Sequence, residues 1–92
     1  MNFEQVNEKI SSNGYRRHTG VRLAYDEVTG AETKIYDYEH KRKLDMFSVY
    51  VNEYGSVDSI EFTRVNFNRE TGKYSQAVTT IKSLNELNKS LA

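Results

Sequence analysis

The chain has 92 residues, with thirteen Lys and Arg balanced by thirteen Asp and Glu, so its formal net charge is zero. At that length a second domain would leave each half too small to bury its own core, and residues 1–92 read as one domain. Phe, Ile, Leu and Val supply 21 residues. With no net charge, that composition excludes the low-hydrophobicity, high-charge signature of disorder. No apolar run exceeds three residues, which excludes a transmembrane helix, and the lack of cysteine excludes a disulfide scaffold or a thiolate metal site. Glu4 and Glu8 near the start do not fit a signal peptide, so the expected setting is cytoplasmic, away from membranes.

Residues 2–12 are predicted to form a short amphipathic helix. Phe3, Val6 and Ile10 fall on one stripe of a 3.6-residue period. Asn2 can cap the first turn, Gln5 has capping-box spacing from it, and Asn13-Gly14 supplies a stop. Three apolar anchors cannot hold such a helix in water alone, so it must dock.

From about residue 19 the period changes to two. Val21, Leu23 and Tyr25 alternate with Arg22, Ala24 and Asp26, predicting a strand that Thr29-Gly30 reverses. A second strand spans roughly 32–39, with Ile35 on one face and Tyr36 and Tyr38 on the other. Residues 44–53 carry Phe47, Val49 and Val51 on one face and Leu44, Met46, Ser48 and Tyr50 on the other, which suits a central strand. Tyr54-Gly55 turns the chain into residues 57–67.

That fourth segment breaks its own alternation, because Ile60 and Phe62 share one face while Val65 and Phe67 share the other. Two readings stay open: a β-bulge near Thr63-Arg64, or a strand buried on one side early and on the other side late. A glycine-containing hairpin at 68–73 leads to a fifth strand over about 73–81. Leu84, Leu87 and Leu91, preceded by a Ser83/Glu86 capping box, predict a closing helix.

The expected fold is therefore α+β, in the order α-β-β-β-β-β-α. A single, predominantly antiparallel sheet of four or five strands has both terminal helices packed on one face. The other face is then bare. Tyr36, Tyr38, Met46 and Tyr50 are expected on it. With seven tyrosines and no tryptophan in the chain, that face is either a solvated sheet surface or a contact surface for a protein partner, a second copy or the bases of a nucleic acid.

The strongest local charge feature is basic. If the first two strands pair as a hairpin, Arg16, Arg17 and His18 emerge at the same end as His40, Lys41, Arg42 and Lys43, with Arg22 further along the strand. Such a corner suits phosphates, with tyrosines available to stack on bases. Five carboxylates in the same region reduce the net charge of residues 15–43 to +2. The corner therefore reads as solvated, nucleic-acid-binding or acidic-partner-binding.

Chemistry finds little purchase. His18 and His40 lack metal-motif spacing, so no metal or cofactor is expected. No cysteine, phosphate-binding glycine loop or distinguishable Ser, His and Asp set is present. The chain is not expected to be an enzyme. In size and layout, with its capped Ser83-Leu84-Asn85-Glu86-Leu87 helix, it is similar to many short accessory proteins of bacteria, phages and mobile elements. Some of these act as inhibitors by covering a partner's surface. The sequence thus leads to a non-enzymatic binding module, with a protein partner or a homodimer as the first reading and nucleic acid as the alternative.

Overall fold

A computed structural model describes residues 1–92. The first helix, α1 (Phe3–Ser11), is followed by five strands, β1 (Tyr15–Tyr25), β2 (Glu32–His40), β3 (Met46–Val51), β4 (Val57–Asn68) and β5 (Lys73–Ile81). A second helix, α2 (Leu84–Leu91), closes the chain. The strands pair antiparallel in sequence order, β1-β2-β3-β4-β5, as an open meander. Every connection is local, and β3 is central as its two apolar faces require.

Both helices begin where the sequence places a cap. The Asn2 side-chain oxygen accepts from the Glu4 and Gln5 amides at 2.8 and 3.4 Å. The Ser83 hydroxyl accepts from Glu86 N–H at 3.2 Å, and the Glu86 carboxylate accepts from Lys82 N–H at 3.2 Å. At the far end of α1, Gly14 adopts a φ of +90° and its carbonyl accepts from Lys41 N–H at 3.0 Å. That bond ties the helix exit to the β2–β3 loop.

Both helices lie on the same face of the sheet. Val6 and Ile10 of α1 and Leu87 of α2 are fully buried in one core with Tyr38, Phe47, Val49, Ile60, Phe62 and Ile81. Each buried aliphatic side chain contributes about 1.5–3 kcal/mol, which is what keeps two helices of nine and eight residues folded.

Tyr36 and Tyr38 lie on this helix-covered face, which corrects the expectation that they belong to the bare one. Tyr36 is opposite Val49 and Tyr38 is opposite Phe47, both core residues of β3. The alternation along β2 is as read, but its sense is inverted. Ile35 occupies the bare side, beside Arg22 and Tyr50 in the neighbouring strands. A single-residue choice of face moves every side chain of a strand. The tyrosine rings fill the space under α1, Tyr36 against Phe3 and Tyr38 with its hydroxyl on Asn7.

The irregularities are also elsewhere than at Thr63-Arg64. Pairing between β4 and β5 runs without a shift from Ile60↔Ile81 to Asn68↔Lys73, so Val65 and Phe67 do lie on the face opposite Ile60 and Phe62. One register shift falls in β1, where residues 18–20 stand against the single residue Asp37 of β2. The other falls at the β3–β4 turn, where Asp58 is the extra residue.

β3 stops pairing with β4 at Met46↔Thr63, and residues 64–68 pair only with β5. The β4–β5 hairpin therefore projects past the rest of the sheet as a two-stranded arm. The molecule measures 48 Å along its longest axis and 24 Å along its shortest. Twelve β4 residues at about 3.4 Å each would cover most of that length.

Candidate functional site

The bare face has two zones. Its β1–β3 half is polar and internally satisfied. The Arg22 guanidinium donates to both Asp37 carboxylate oxygens, from Nε to Oδ2 at 2.6 Å and from Nη2 to Oδ1 at 2.8 Å, and the Ser48 hydroxyl donates to Asp37 Oδ1 at 2.7 Å. The Arg22 hydrogen bonds are the main reason the Asp37 carboxyl lies below its ordinary pKa. Lower on the same face, Arg16 Nη2 and His18 Nε2 each approach Glu39 at 3.4 Å. The hydrogen bond from His18, followed by that from Arg16, lowers the Glu39 pKa. Tyr50 is half-buried opposite Ile35 and Ser59, and burial together with the Glu61 carboxylate pushes its phenol pKa up.

The other half, built from β4, β5 and the Met46 end of β3, is apolar and open. Met46, Phe67, Tyr74 and Val78 are 45, 51, 64 and 60 % exposed. The pairing Met46↔Thr63↔Val78 puts Met46 and Val78 in one cross-strand row, and Phe67↔Tyr74 forms another with ring centroids 4.8 Å apart. Val65 sits between the rows, opposite Gln76. Of this group the sequence marks only Met46 as a contact residue. Val65 and Phe67 carried the signal in their broken alternation, and Tyr74 and Val78 carried it as the apolar positions of a strand otherwise built of Ser, Gln, Ala and Thr.

The other proposed contact residues are dispersed. Tyr38 is buried, its hydroxyl donates to Asn7 Oδ1 at 2.7 Å, and burial raises its pKa to about 12. Tyr36 packs on Phe3 of α1 at 4.5 Å between ring centroids. Arg17 is on the helix side as well, its Cζ lying 5.6 Å from the Tyr36 ring and 6.0 Å from the Phe3 ring. Arg17 is therefore separated from Arg16 by the sheet itself, because successive strand residues point to opposite faces.

The basic end is a loop rather than a face. Lys41, Arg42 and Lys43 are exposed and make no ion pair. With Arg16, Glu39, His40, Leu44, Asp45 and Met46 they border a shallow cleft of about 400 Å³. The loop's shape comes from His40, whose Nδ1 accepts from the Arg42 and Lys43 amides at 2.9 and 3.1 Å. Those amides are thereby unavailable to an anion, and only the side chains remain. Arg64, which no sequence signal marks as part of the basic corner, joins this end through the buried Asp45 carboxylate at 3.8 Å. His18 bonds Glu39 while His40 packs edge-on against Tyr15 at 4.8 Å, so the two histidines do not converge.

The fold and surface define an open-faced α+β sheet protein with a polar half and an apolar half on its uncovered side. Comparison with protein-family models, with curated proteins and with solved structures gives no match. No helix is long and apolar enough to cross a membrane.

Proposed function

We infer that the protein is a non-enzymatic binding module that docks onto a protein partner through the apolar half of its bare sheet face. One observation carries this reading: Met46, Phe67, Tyr74 and Val78 are all about half exposed or more and share one uncovered face. Contiguous exposed apolar side chains beside a satisfied polar zone are the usual composition of an interface and its rim. The contact zone includes Met46 and excludes Tyr36 and Tyr38, which lie on the other face, and Tyr50, which lies in the polar half beyond Ser48. A surface with no enclosing cleft suits an accessory or inhibitory role, in which covering the partner is itself the effect.

The test compares cross-linked complexes formed in host extract by the wild type, by Met46→Glu and by Leu23→Ser, the last altering an exposed β1 residue on the opposite side. The same proteins should be captured by wild type and Leu23→Ser and lost with Met46→Glu. Capture that is indifferent to Met46→Glu would remove the reading.

Nucleic acid is the second reading, favoured by the unpaired cations of Arg42 and Lys43 next to Arg64, with Lys41 in the same loop. Arg16 and Arg22 support it less, since each is held by a carboxylate of its own chain. Under this reading affinity falls steeply with salt, and Arg42→Ala makes the slope shallower by about one.

A further inference from the structure

The sheet has two edges, and they are built differently. β1 carries Arg16, Arg17, His18 and Arg22 and is interrupted by the irregularity at residues 18–20. Charges and a bulge are the usual devices that keep an edge strand from pairing with another chain. β5 has neither. From Tyr74 to Ile81 it contains no charged residue and no proline, its register with β4 is unbroken, and residues 73–80 are exposed. Its outer row of backbone donors and acceptors is an open template for a further strand.

We propose that β5 pairs antiparallel with β5 of a second copy, about a two-fold axis at Gln76, joining the two sheets into one. An edge strand paired antiparallel with itself is self-complementary by symmetry, as a closed dimer requires. The side chains select the register. With Gln76 on the axis, Tyr74 lies across from the partner's Val78, and each such aromatic–β-branched pair is of the favourable cross-strand kind. Thr63, Val78, the partner's Tyr74 and the partner's Phe67 then form one continuous row, and residues keep to their own face throughout. Just beyond the paired residues, Lys82 comes opposite the partner's Glu70 in the 69–72 turn, once at each end. Neither Lys82 nor Glu70 has an ion-pair partner within its own chain. A copy of this chain thus supplies both the apolar and the charged complement that the edge lacks.

This pairing uses the strand's outer backbone edge and is separable from partner docking on the face. The experiment is sedimentation velocity on the full chain from low micromolar to millimolar concentration, combined with single-cysteine cross-linking in this cysteine-free background. Mass should rise with concentration from 10.7 kDa to twice that value. Gln76→Cys should oxidise to a covalent dimer, whereas Leu23→Cys on β1 should not. Val78→Lys should weaken the dimer by at least about tenfold without changing the circular dichroism spectrum. Gln76→Lys, which sets two ammonium groups face to face, should do the same and serves if Val78→Lys folds poorly. Met46→Glu should leave the mass unchanged, which separates failure here from failure of the face reading. A monomer at every concentration overturns the proposal. So does a dimer that survives both lysine variants while Gln76→Cys fails to link. A monomer whose β5 amides gain exchange protection only in host extract also overturns it, by giving the edge to a strand of another protein.

Discussion

Arg22 of β1 and Asp37 of β2 meet in a two-point ion pair across the bare face, with N···O distances of 2.6 and 2.8 Å. Asp37 is mostly shielded while Arg22 is more than half exposed, so the pair contributes at the lower end of the range for charged hydrogen bonds. Asp37→Ala, which also strips Ser48 of its acceptor, is expected to cost about 1 kcal/mol in urea unfolding at neutral pH. The Asp37 pKa is depressed in the folded state, so this stabilisation is present above the unfolded value near 3.8. It is lost as pH falls through the folded value. The acid limb of the wild-type stability curve should therefore be steeper than that of Asp37→Ala. Parallel limbs would show that the pair is not coupled to folding.

Tyr38 and Asn7 give the opposite pH dependence. Burial raises the Tyr38 pKa to about 12, above its ordinary value of 10.0. Its contribution is complete below the unfolded value and disappears as pH rises through the folded one. In an ultraviolet titration Tyr38 should ionise late, and Tyr38→Phe should remove that late component. Loss of the 2.7 Å bond to Asn7 should lower stability by about 1 kcal/mol.

Gly14 and Gly30 both have positive φ, at +90° and +72°, yet they should respond differently to alanine. A Cβ at Gly14 would stand 2.9 Å from His40 Nε2, whereas at Gly30 nothing lies within 4 Å. Gly30→Ala should cost about 1 kcal/mol from backbone strain alone. Gly14→Ala should cost more, because it also displaces the histidine that shapes the basic loop. Equal thermal shifts for the two variants would contradict this.

Tyr36 and Tyr50 differ in the same way despite similar half-burial. Tyr36→Ala removes the ring that packs under Phe3 and should destabilise the fold by about 2–3 kcal/mol. Tyr50→Ala, on the open side, should cost less than half of that. Chemical denaturation of the two variants side by side checks the assignment of faces.

Most of the architecture is legible in the sequence because each element carries its own local signal. Asn2 and Ser83 mark the helix starts, glycines mark four turns, and the shift from a 3.6- to a 2-residue period marks β1. What is not legible is which face of a strand turns inward when both are partly apolar. In β2, Ile35 and the tyrosines alternate correctly, but nothing local says that α1 would prefer the larger rings. That choice is made by packing across strands, where Phe47 and Val49 already occupy the covered side. The bare apolar zone was obscured for a related reason. Val65 and Phe67 break alternation with the core positions Ile60 and Phe62, and only the free length of β4 beyond Met46↔Thr63 shows that they leave the core. The basic corner was half legible: its loop and Arg16 do gather at one end, but strand alternation carries Arg17 to the other face.

The most direct test of a contact surface on the uncovered face is hydroxyl-radical footprinting of dilute protein, alone and in host extract. Oxidation of Met46 and Phe67 should fall in the extract while Tyr54 in the β3–β4 turn and Tyr25 on the helix side of β1 react as before. Unchanged labelling of Met46 and Phe67, with Tyr25 protected instead, would place the working surface on the wrong side of the sheet and contradict the uncovered-face reading.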